Sequence, residues 1–253
     1  MPNTLLLMLV LFAVLLLVAE LFRRYRLVGL TFFVLSLPGL LVPNANLFMR
    51  IKTISVLLPM CFLAYARYRP KIEGFIYKLI YLVIVLNIIE ASVIDWQTGN
   101  VLNIVAAVGL ILCLPYSRQH WEISGRHSDF VVRVPAYWPY LYTTWNLCFL
   151  YSARITTFGY ALPLLLAPVA YALLLRRSDL YFQARAYTFG FYLFVRTIAG
   201  DAPLMNLPAF DLTTWYSPDA ALIWSVVNVI FTGACLYSYG ASRKKNKAIE
   251  QGV

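Results

Sequence analysis

Charged side chains are scarce in this sequence. Asp, Glu, Lys and Arg make up 13% of the 253 residues, against about a quarter in typical soluble domains. Apolar residue types make up 61%, and the mean hydropathy is +0.72. A soluble fold of this size could not cover so much apolar surface with so few polar groups. The composition therefore predicts an integral membrane protein and excludes a disordered or collagen-like chain.

Cysteine and histidine are also few, and neither forms a metal-binding pattern. The four cysteines each lie inside an apolar run, without a CxxC pair or a histidine at ligand spacing. His120 and His127 share one loop, and we favour a solvated loop over a metal site there. The sequence also contains no HExxH motif, no GxSxG motif and no P-loop. We therefore expect no metal, no cofactor and no disulfide framework.

Nine long apolar runs divide the chain. A membrane-spanning helix needs about 20 mostly apolar residues, and continuous runs favour helices over the alternating strands of an outer-membrane barrel. Runs 27–43 and 159–175 are short and contain prolines, so whether they cross fully is open. The sequence predicts an all-α fold, a polytopic transmembrane helix bundle that forms one transmembrane domain over 1–253 with no soluble domain. The predicted spans are about 4–22, 27–43, 51–67, 75–94, 100–117, 137–157, 159–175, 178–199 and 218–240.

The basic residues predict the orientation of the chain. Sixteen of the 21 Lys and Arg residues fall in loops on one side of the predicted spans, and at most four fall on the other. Because loops rich in Lys and Arg stay in the cytoplasm, we expect the N-terminus outside and the C-terminus in the cytoplasm. The loop at 200–219 contains three Asp residues and no Lys or Arg, which agrees with an outer position. The sixteen residues are Arg23, Arg24, Arg26, Arg67, Arg69, Lys71, Lys78, Arg118, Arg126, Arg133, Arg176, Arg177, Arg243, Lys244, Lys245 and Lys247.

The same basic clusters indicate the partners of the chain. A net charge of +10 raises the question of nucleic acid, but clusters that lie between apolar runs are typical of membrane topology, so we expect no nucleic acid. The expected partners are the lipid bilayer and anionic lipid head groups at the cytoplasmic face. The inner loop at 118–136 is expected to lie against those head groups. The predicted location is the bacterial cytoplasmic membrane, with the chain as a multi-pass protein.

Polar and ionisable side chains inside the apolar runs are the best guide to function, because a charge in a bilayer is costly unless it is paired or in contact with water. Glu90 lies in the fourth run, with Asn87 on the same helix face. Arg185, Tyr192 and Arg196 in the eighth run have the spacing i, i+7 and i+11, which places them within about 40° of arc on a helix. We expect both sets to line one central cavity, in which Glu90 faces Arg196.

Further polar residues could belong to this cavity or could simply hold helices together. Asp95 follows the fourth run and Asn146 lies in the sixth, and both are cavity candidates. Glu20 and Arg185 form a second predicted pair near the inner face. Ser, Thr and Asn side chains commonly fasten membrane helices, at about 0.6 kcal/mol each, and we favour that interpretation for the remaining stripes. These stripes are Asn100 and Asn103, Thr143 and Thr144, and Ser225, Asn228 and Thr232.

Four short segments carry a resemblance to a known family. They are Asn87–Ala91 (NIIEA), Asp95–Gln97 (DWQ), Tyr142–Asn146 (YTTWN) and Gln183–Thr188 (QARAYT). In the same order over most of the chain, these segments resemble an uncharacterised family of mainly bacterial multi-spanning membrane proteins, which is defined only as a domain of unknown function. The resemblance implies a polytopic inner-membrane fold and supplies no activity.

The match to that family is incomplete at two positions. Thr143 stands where the family pattern has an acidic residue, and Ala184 stands where a histidine precedes the arginine. Any proton-carrying role of those two positions in relatives is therefore in doubt here. The residues that do match, and that the resemblance supports as site candidates, are Glu90, Asp95, Asn146 and Arg185.

The leading hypothesis for function is a small transporter or channel-like protein that moves an ion or a small polar solute. Glu90 would be the cavity carboxylate, while Arg185 and Arg196 would pair with it or hold an anionic solute. Asn87, Tyr192 and Asn146 would supply orienting hydrogen bonds. Two other classes stay open: an enzyme that modifies a lipid or isoprenoid, with its phosphate held by the arginines, and an assembly partner of another membrane protein. We favour a protein that is not an enzyme, and a homo-oligomer is compatible with the sequence.

Overall fold

The structure, a computed structural model, describes residues 2–39, 47–154, 158–199 and 215–250. These residues form nine α-helices and one two-stranded hairpin. Each predicted apolar run overlaps one helix, so the prediction of a helical bundle is confirmed, while most of the acidic loop at 200–219 lies outside the described residues. The elements are α1 Pro2–Arg24, α2 Arg26–Gly39, α3 Leu47–Ala66, α4 Gly74–Gln97, α5 Val101–Cys113, β1 Trp121–Ser124, β2 Asp129–Val132, α6 Trp138–Ser152, α7 Phe158–Leu174, α8 Tyr181–Ala199 and α9 Pro218–Glu250.

Three of the described helices are long and apolar enough to cross a membrane. They are the segments Thr4–Arg24, Gly74–Gln97 and Pro218–Ala241. Four shorter apolar helices accompany them, and α5 has only 13 residues. At about 1.5 Å per residue α5 is about 20 Å long, which is less than the ~30 Å hydrocarbon core of a bilayer. The described helices are therefore compatible with a membrane location, but only these three have the length and apolar character of a span, and α2, α5, α6 and α8 are shorter than the runs predicted for them.

The helices alternate in direction. Arg67, directly after α3, donates hydrogen bonds to the Phe22 carbonyl at the end of α1 and to the Tyr187 hydroxyl near the start of α8. We call the end of the bundle that contains these contacts and the β1–β2 hairpin the hairpin end. At the opposite end, the Tyr151 hydroxyl near the end of α6 donates to the Trp215 carbonyl shortly before α9. Consecutive helices thus pass from one end of the bundle to the other.

A sharp turn between α4 and α5 brings polar residues together. Gly99 has a φ of +77°, which glycine adopts without the steric cost that a Cβ would add. Asn100 follows at the start of α5, and its backbone N–H donates to the Asp95 carbonyl at 2.8 Å. This reversal places the polar side chains at the start of α5 beside the last turn of α4.

Helices α5 and α9 approach each other closely. A Cβ added at Gly109 would lie 2.0 Å from the Thr232 Cγ2 atom. Such small residues allow the backbones of membrane helices to come near one another. The Asn228 amide in α9 donates to the Asn103 side-chain oxygen in α5 at 2.9 Å. Because Asn103 faces Asn228 and the later Gly109 faces the later Thr232, the two helices run in the same direction.

The loop at 118–136 folds into a hairpin that the sequence pattern does not predict. Strands β1 and β2 pair antiparallel, with Trp121 opposite Val132. All four residues of β2 are buried, so the loop is a packed part of the bundle. The Arg23 guanidinium of α1 holds the hairpin through both carboxylate oxygens of Asp129, at 3.0 and 3.1 Å.

Candidate solute cavity

A cavity of about 420 Å³ lies between α3, α4, α6, α7 and α8. Most of its lining is aliphatic or aromatic, from residues such as Leu63, Ile84 and Phe149. Six of the seven site residues that the sequence predicts line this one cavity, although they come from three helices. They are Asn87 and Glu90 from α4, Asn146 from α6, and Arg185, Tyr192 and Arg196 from α8.

Helix α8 supplies both positive charges of the cavity. Its Arg185 guanidinium donates one hydrogen bond to the Leu164 carbonyl at 3.1 Å and lies 4.8 Å from the Phe189 ring centroid. Within the described part of the chain, Arg185 is not within ion-pairing distance of any carboxylate. The carbonyl uses one of the five N–H donors of Arg185. The ring face of Phe189 stabilises part of the positive charge.

The predicted pair of Glu20 and Arg185 is wrong. Glu20 accepts hydrogen bonds from Arg24 and Tyr171, and it forms an ion pair with Arg23 at 3.5 Å. The contact with Arg24 lies within α1, since an arginine one turn later on the same helix reaches a carboxylate easily. The contact with Tyr171 joins α1 to α7. Arg185 is therefore left facing the cavity without that partner.

Arg196 lies at a second aromatic face. Its guanidinium is 5.1 Å from the Tyr160 ring centroid, and no ion pair joins it to Glu90 among the described residues, in contrast to the predicted pairing. Tyr192 lies beside both Arg196 and Tyr160, and it is 3% exposed. Its hydroxyl has no partner with hydrogen-bond distance and angle in the described residues, although a buried hydroxyl normally has one.

The opposite wall of the cavity carries the acidic group. Glu90 is exposed and Asn87 is half-buried, yet both line the cavity. An exposed residue in the lining shows that the cavity opens beside this stretch of α4. Asn146 is half-buried on α6, where its amide nitrogen donates to the Tyr142 carbonyl one turn earlier at 2.9 Å.

Asp95 is the one predicted site residue that does not line the cavity. It is fully buried at the end of α4, where it accepts hydrogen bonds from the side-chain amides of Asn100 and Asn103. The sequence places it close to Glu90, but five residues of helix rotate its side chain toward α5 instead. Asp95 therefore belongs to a separate buried network.

The two aromatic residues that contact the cavity arginines were not among the sequence candidates. Tyr160 in α7 supplies the ring beneath Arg196, and the ring centroids of Tyr160 and Tyr192 are 5.6 Å apart. Phe189 supplies the ring beneath Arg185. Phe189 could be found from its spacing of four residues after Arg185, whereas Tyr160 lies on another helix and carries no comparable signal in the sequence.

The cavity as a whole suits an anion with an apolar body. Its described lining holds two guanidiniums and one carboxylate, set in mostly apolar walls. The buried Tyr192 hydroxyl adds a hydrogen-bond donor next to Arg196. Among the described residues, no group of three or more His, Cys, Asp or Glu side chains could hold a metal ion.

Comparison of the chain with protein-family models, with curated proteins and with solved structures gave no match. The resemblance to an uncharacterised membrane-protein family therefore stays a prediction. Any functional conclusion rests on the geometry of the cavity.

Proposed function

We propose that the protein is a small membrane transport protein that binds an organic anion in this cavity. The observation that carries the proposal is that Arg185 and Arg196 line one apolar cavity while neither is paired with a carboxylate in the described residues. A half-buried arginine among apolar walls favours a counter-charge, because an unpaired charge in apolar surroundings is costly. A bound anion would supply it.

The chemistry of the lining narrows the class of solute. A carboxylate or phosphate can accept two parallel hydrogen bonds from a guanidinium, and the Tyr192 hydroxyl can donate a further one. The aliphatic and aromatic walls favour an apolar body over a bare inorganic ion. A volume of about 420 Å³ falls within the ~300–1,000 Å³ range of small-molecule sites.

Transport is favoured over modification of a lipid by the residues that line the cavity. The described lining contains no Ser, Thr, Cys, His or Lys side chain, which are the usual nucleophiles and many of the usual bases. Glu90 and the tyrosines of the lining would have to serve as acid and base. A binding role asks less of this set, since it needs only the two guanidiniums and the hydroxyl.

We propose further that the nine helices lie in the bacterial cytoplasmic membrane, with the N-terminus outside and the C-terminus in the cytoplasm. Their alternation in direction supports this arrangement, and the basic clusters at Arg23, Arg67 and Arg126 all lie at the hairpin end. By the positive-inside rule, the hairpin end would then face the cytoplasm. The shorter helices would cross only part of the hydrocarbon, within the bundle.

Anionic lipid head groups are proposed as partners at the hairpin end. A second cavity of about 420 Å³ lies there between α6 and α7, lined by Tyr137, Tyr140, Arg176 and Arg177. The hydrogen bond from Arg177 to Asp179 raises the pKa of the guanidinium, so Arg177 stays charged. Tyrosines next to basic residues are typical of the membrane interface.

The binding proposal can be tested with simple amphiphilic probes. The protein in lipid nanodiscs would be titrated with octanoate, octyl phosphate and octylammonium while its thermal unfolding temperature is recorded. We expect the two anions to raise the unfolding temperature and octylammonium to leave it unchanged. Arg185→Gln and Arg196→Gln are each expected to raise the anion concentration that gives half of the full effect at least tenfold. Each substitution removes a charge-assisted contact to the anion.

A matched control is Arg133→Gln, since Arg133 is an exposed arginine that pairs with Glu122 on the hairpin. This variant should bind the anions as the unmodified protein does. Equal responses to octanoate and octylammonium, or unchanged anion binding in both cavity variants, would contradict an anion site. Uptake of labelled octyl phosphate into proteoliposomes would then separate transport from binding alone.

A further inference from the structure

The solute cavity is long and narrow. Along α8 its lining runs from Phe182 to Arg196, and along α4 it runs from Ile80 to Ile94. At ~1.5 Å per residue, each of these stretches is about 21 Å long. A volume of about 420 Å³ that extends over such a length leaves little width. The shape of the cavity therefore suits an extended molecule.

The two cavity arginines lie at different levels along this length. They are eleven residues apart on α8, so their Cα atoms are about 16 Å apart. Arg185 donates to the Leu164 carbonyl at 3.1 Å, whereas Arg196 lies 5.1 Å from the Tyr160 ring centroid. Tyr160 precedes Leu164 by one turn of α7, which runs antiparallel to α8. The two guanidiniums thus contact α7 at points that are one helical turn apart.

Each arginine has donors to spare at its own level. Both side chains are half-buried, and neither forms an ion pair within the described ranges. The Leu164 carbonyl uses one of the five N–H groups of Arg185. The Tyr160 ring attracts the charge of Arg196 without neutralising it. One small anion therefore cannot use the full set of donors at both levels.

Tyr192 independently indicates a ligand at the level of Arg196. It precedes Arg196 by one turn, lines the cavity and is 3% exposed. Its hydroxyl has no hydrogen-bond partner in the described part of the chain, which is rare for a buried group. Arg196 can donate to this hydroxyl but cannot accept its proton. An anionic oxygen at this point would accept from both side chains.

The lining between the two levels is apolar. Phe189 and Leu193 of α8 and Ala161 of α7 line the cavity there. Glu90 also lines the cavity, but from an exposed position on α4, where solvent screens a charge more than among packed helices. An apolar chain fits this middle stretch better than a polar one, because a polar group there would lose its hydrogen bonds to water.

We propose that the solute is an elongated α,ω-dicarboxylate. One carboxylate binds Arg185, the other binds Arg196 and the Tyr192 hydroxyl, and an apolar chain joins them along α8. This assignment rests on the proposed anion site and names its class of solute. A single carboxylate between the two levels gives each arginine one contact at best, whereas two carboxylates can each accept two parallel hydrogen bonds from a guanidinium. Two linked groups also bind together more tightly than either alone.

The experiment compares octanedioate with octanoate, which have the same number of carbons and differ by one carboxylate. The protein in nanodiscs of neutral lipid is titrated with each acid at equal ionic strength and neutral pH, and its unfolding temperature is recorded. We expect octanedioate to reach half of its full effect at a concentration at least tenfold lower than octanoate does. A series from butanedioate to dodecanedioate should show an optimal chain length, since the two levels have a fixed spacing.

Four variants connect this difference to the cavity. Arg185→Gln and Arg196→Gln should each abolish the advantage of octanedioate, so that the two acids act at similar concentrations. Tyr192→Phe keeps the ring and removes the unused hydroxyl, and it should weaken octanedioate binding at least threefold. Arg133→Gln changes the exposed arginine of the hairpin and should retain the full difference between the two acids.

The outcomes separate this proposal from the anion site on which it rests. Equal half-effect concentrations of the two acids in the unmodified protein would overturn the dicarboxylate while the anion site stands. No response to either acid would contradict the anion site as well. An advantage of octanedioate that persists in either cavity arginine variant would also overturn the proposal. If those variants do not fold, the chain-length series decides, because a steady rise in affinity without an optimum would contradict two levels of fixed spacing.

Discussion

At the scale of single residues, Arg67 has the most completely satisfied side chain in the hairpin end. It is 1% exposed, and all five of its N–H donors are used. Two of the acceptors are carbonyls in the last turn of α1, where a positive charge offsets the electronegative helix end. The acceptors, at 2.6–2.8 Å, are the carbonyls of Phe22, Arg23, His127 and Ser128 and the hydroxyl of Tyr187.

Replacement of Arg67 by lysine should destabilise the protein strongly although the charge is kept. A lysine has three donors where arginine has five, so two acceptors lose their partners at about 1–3 kcal/mol each. We expect Arg67→Lys to lower the free energy of unfolding by about 2–6 kcal/mol, measured by SDS titration in mixed micelles.

Arg69→Lys is the matched control for this substitution. Arg69 lies two residues later, where it is exposed and pairs with Glu73 at 3.8 Å. Exposed pairs contribute little, so this variant should change stability by less than about 0.5 kcal/mol. Equal stability of the two variants would mean that the hydrogen bonds of Arg67 do not hold the hairpin end together.

The sequence identifies the polar residues inside the apolar runs, but it does not identify all of their hydrogen-bond and ion-pair partners. Glu20 and Arg185 look complementary in sign and depth, yet Glu20 binds Arg24 on its own helix and Tyr171 on α7. Which side chain pairs with Glu20 depends on how each helix is rotated about its axis, and packing between helices sets that rotation. Periodicity within one helix places Arg185, Tyr192 and Arg196 on one face because that relation is local.

At the scale of elements, the α5–α9 contact depends on the absence of a side chain at Gly109. Gly109→Ala would place a methyl group 2.0 Å from Thr232 Cγ2, so the helices must separate. We expect a loss of about 1–3 kcal/mol, as for other overpacked sites. The double variant Gly109→Ala with Thr232→Ser lacks the clashing methyl group and should recover much of that loss, measured in the same unfolding assay.

Gly233→Ala provides the control on the neighbouring helix. An added Cβ at Gly233 meets no atom within 4 Å among the described residues. Alanine there should stabilise α9 by about 0.5–1 kcal/mol through its better helix propensity. If Gly109→Ala behaved like Gly233→Ala, the close approach of α5 and α9 would be contradicted.

The positions of helices are predicted far better than their lengths. Each apolar run overlaps a helix, since backbone groups in apolar surroundings must pair within the segment. Run 100–117 exceeds α5, which ends at Cys113, because apolar residues continue into the connection toward the hairpin. The hairpin itself escapes prediction: its second strand is buried on both faces and shows no alternation.

At the scale of the whole molecule, the bundle separates two polar regions that look alike in the sequence. Asn146 and Trp145 are adjacent in α6, yet Asn146 lines the solute cavity while Trp145 is buried in the Asp95 network. One face of α6 thus contacts each region.

The orientation of the bundle gives the last prediction. Arg126 in the hairpin turn and Asp219 at the start of α9 are exposed at opposite ends, and the native cysteines are buried or half-buried. We expect Asp219→Cys to react with a membrane-impermeant maleimide in intact cells, because Asp219 lies at the end of the bundle opposite the basic loops, which face the cytoplasm in the proposed orientation. Arg126→Cys should react only after permeabilisation. Reaction of both positions in intact cells, or of Arg126→Cys alone, would show that the hairpin end does not face the cytoplasm.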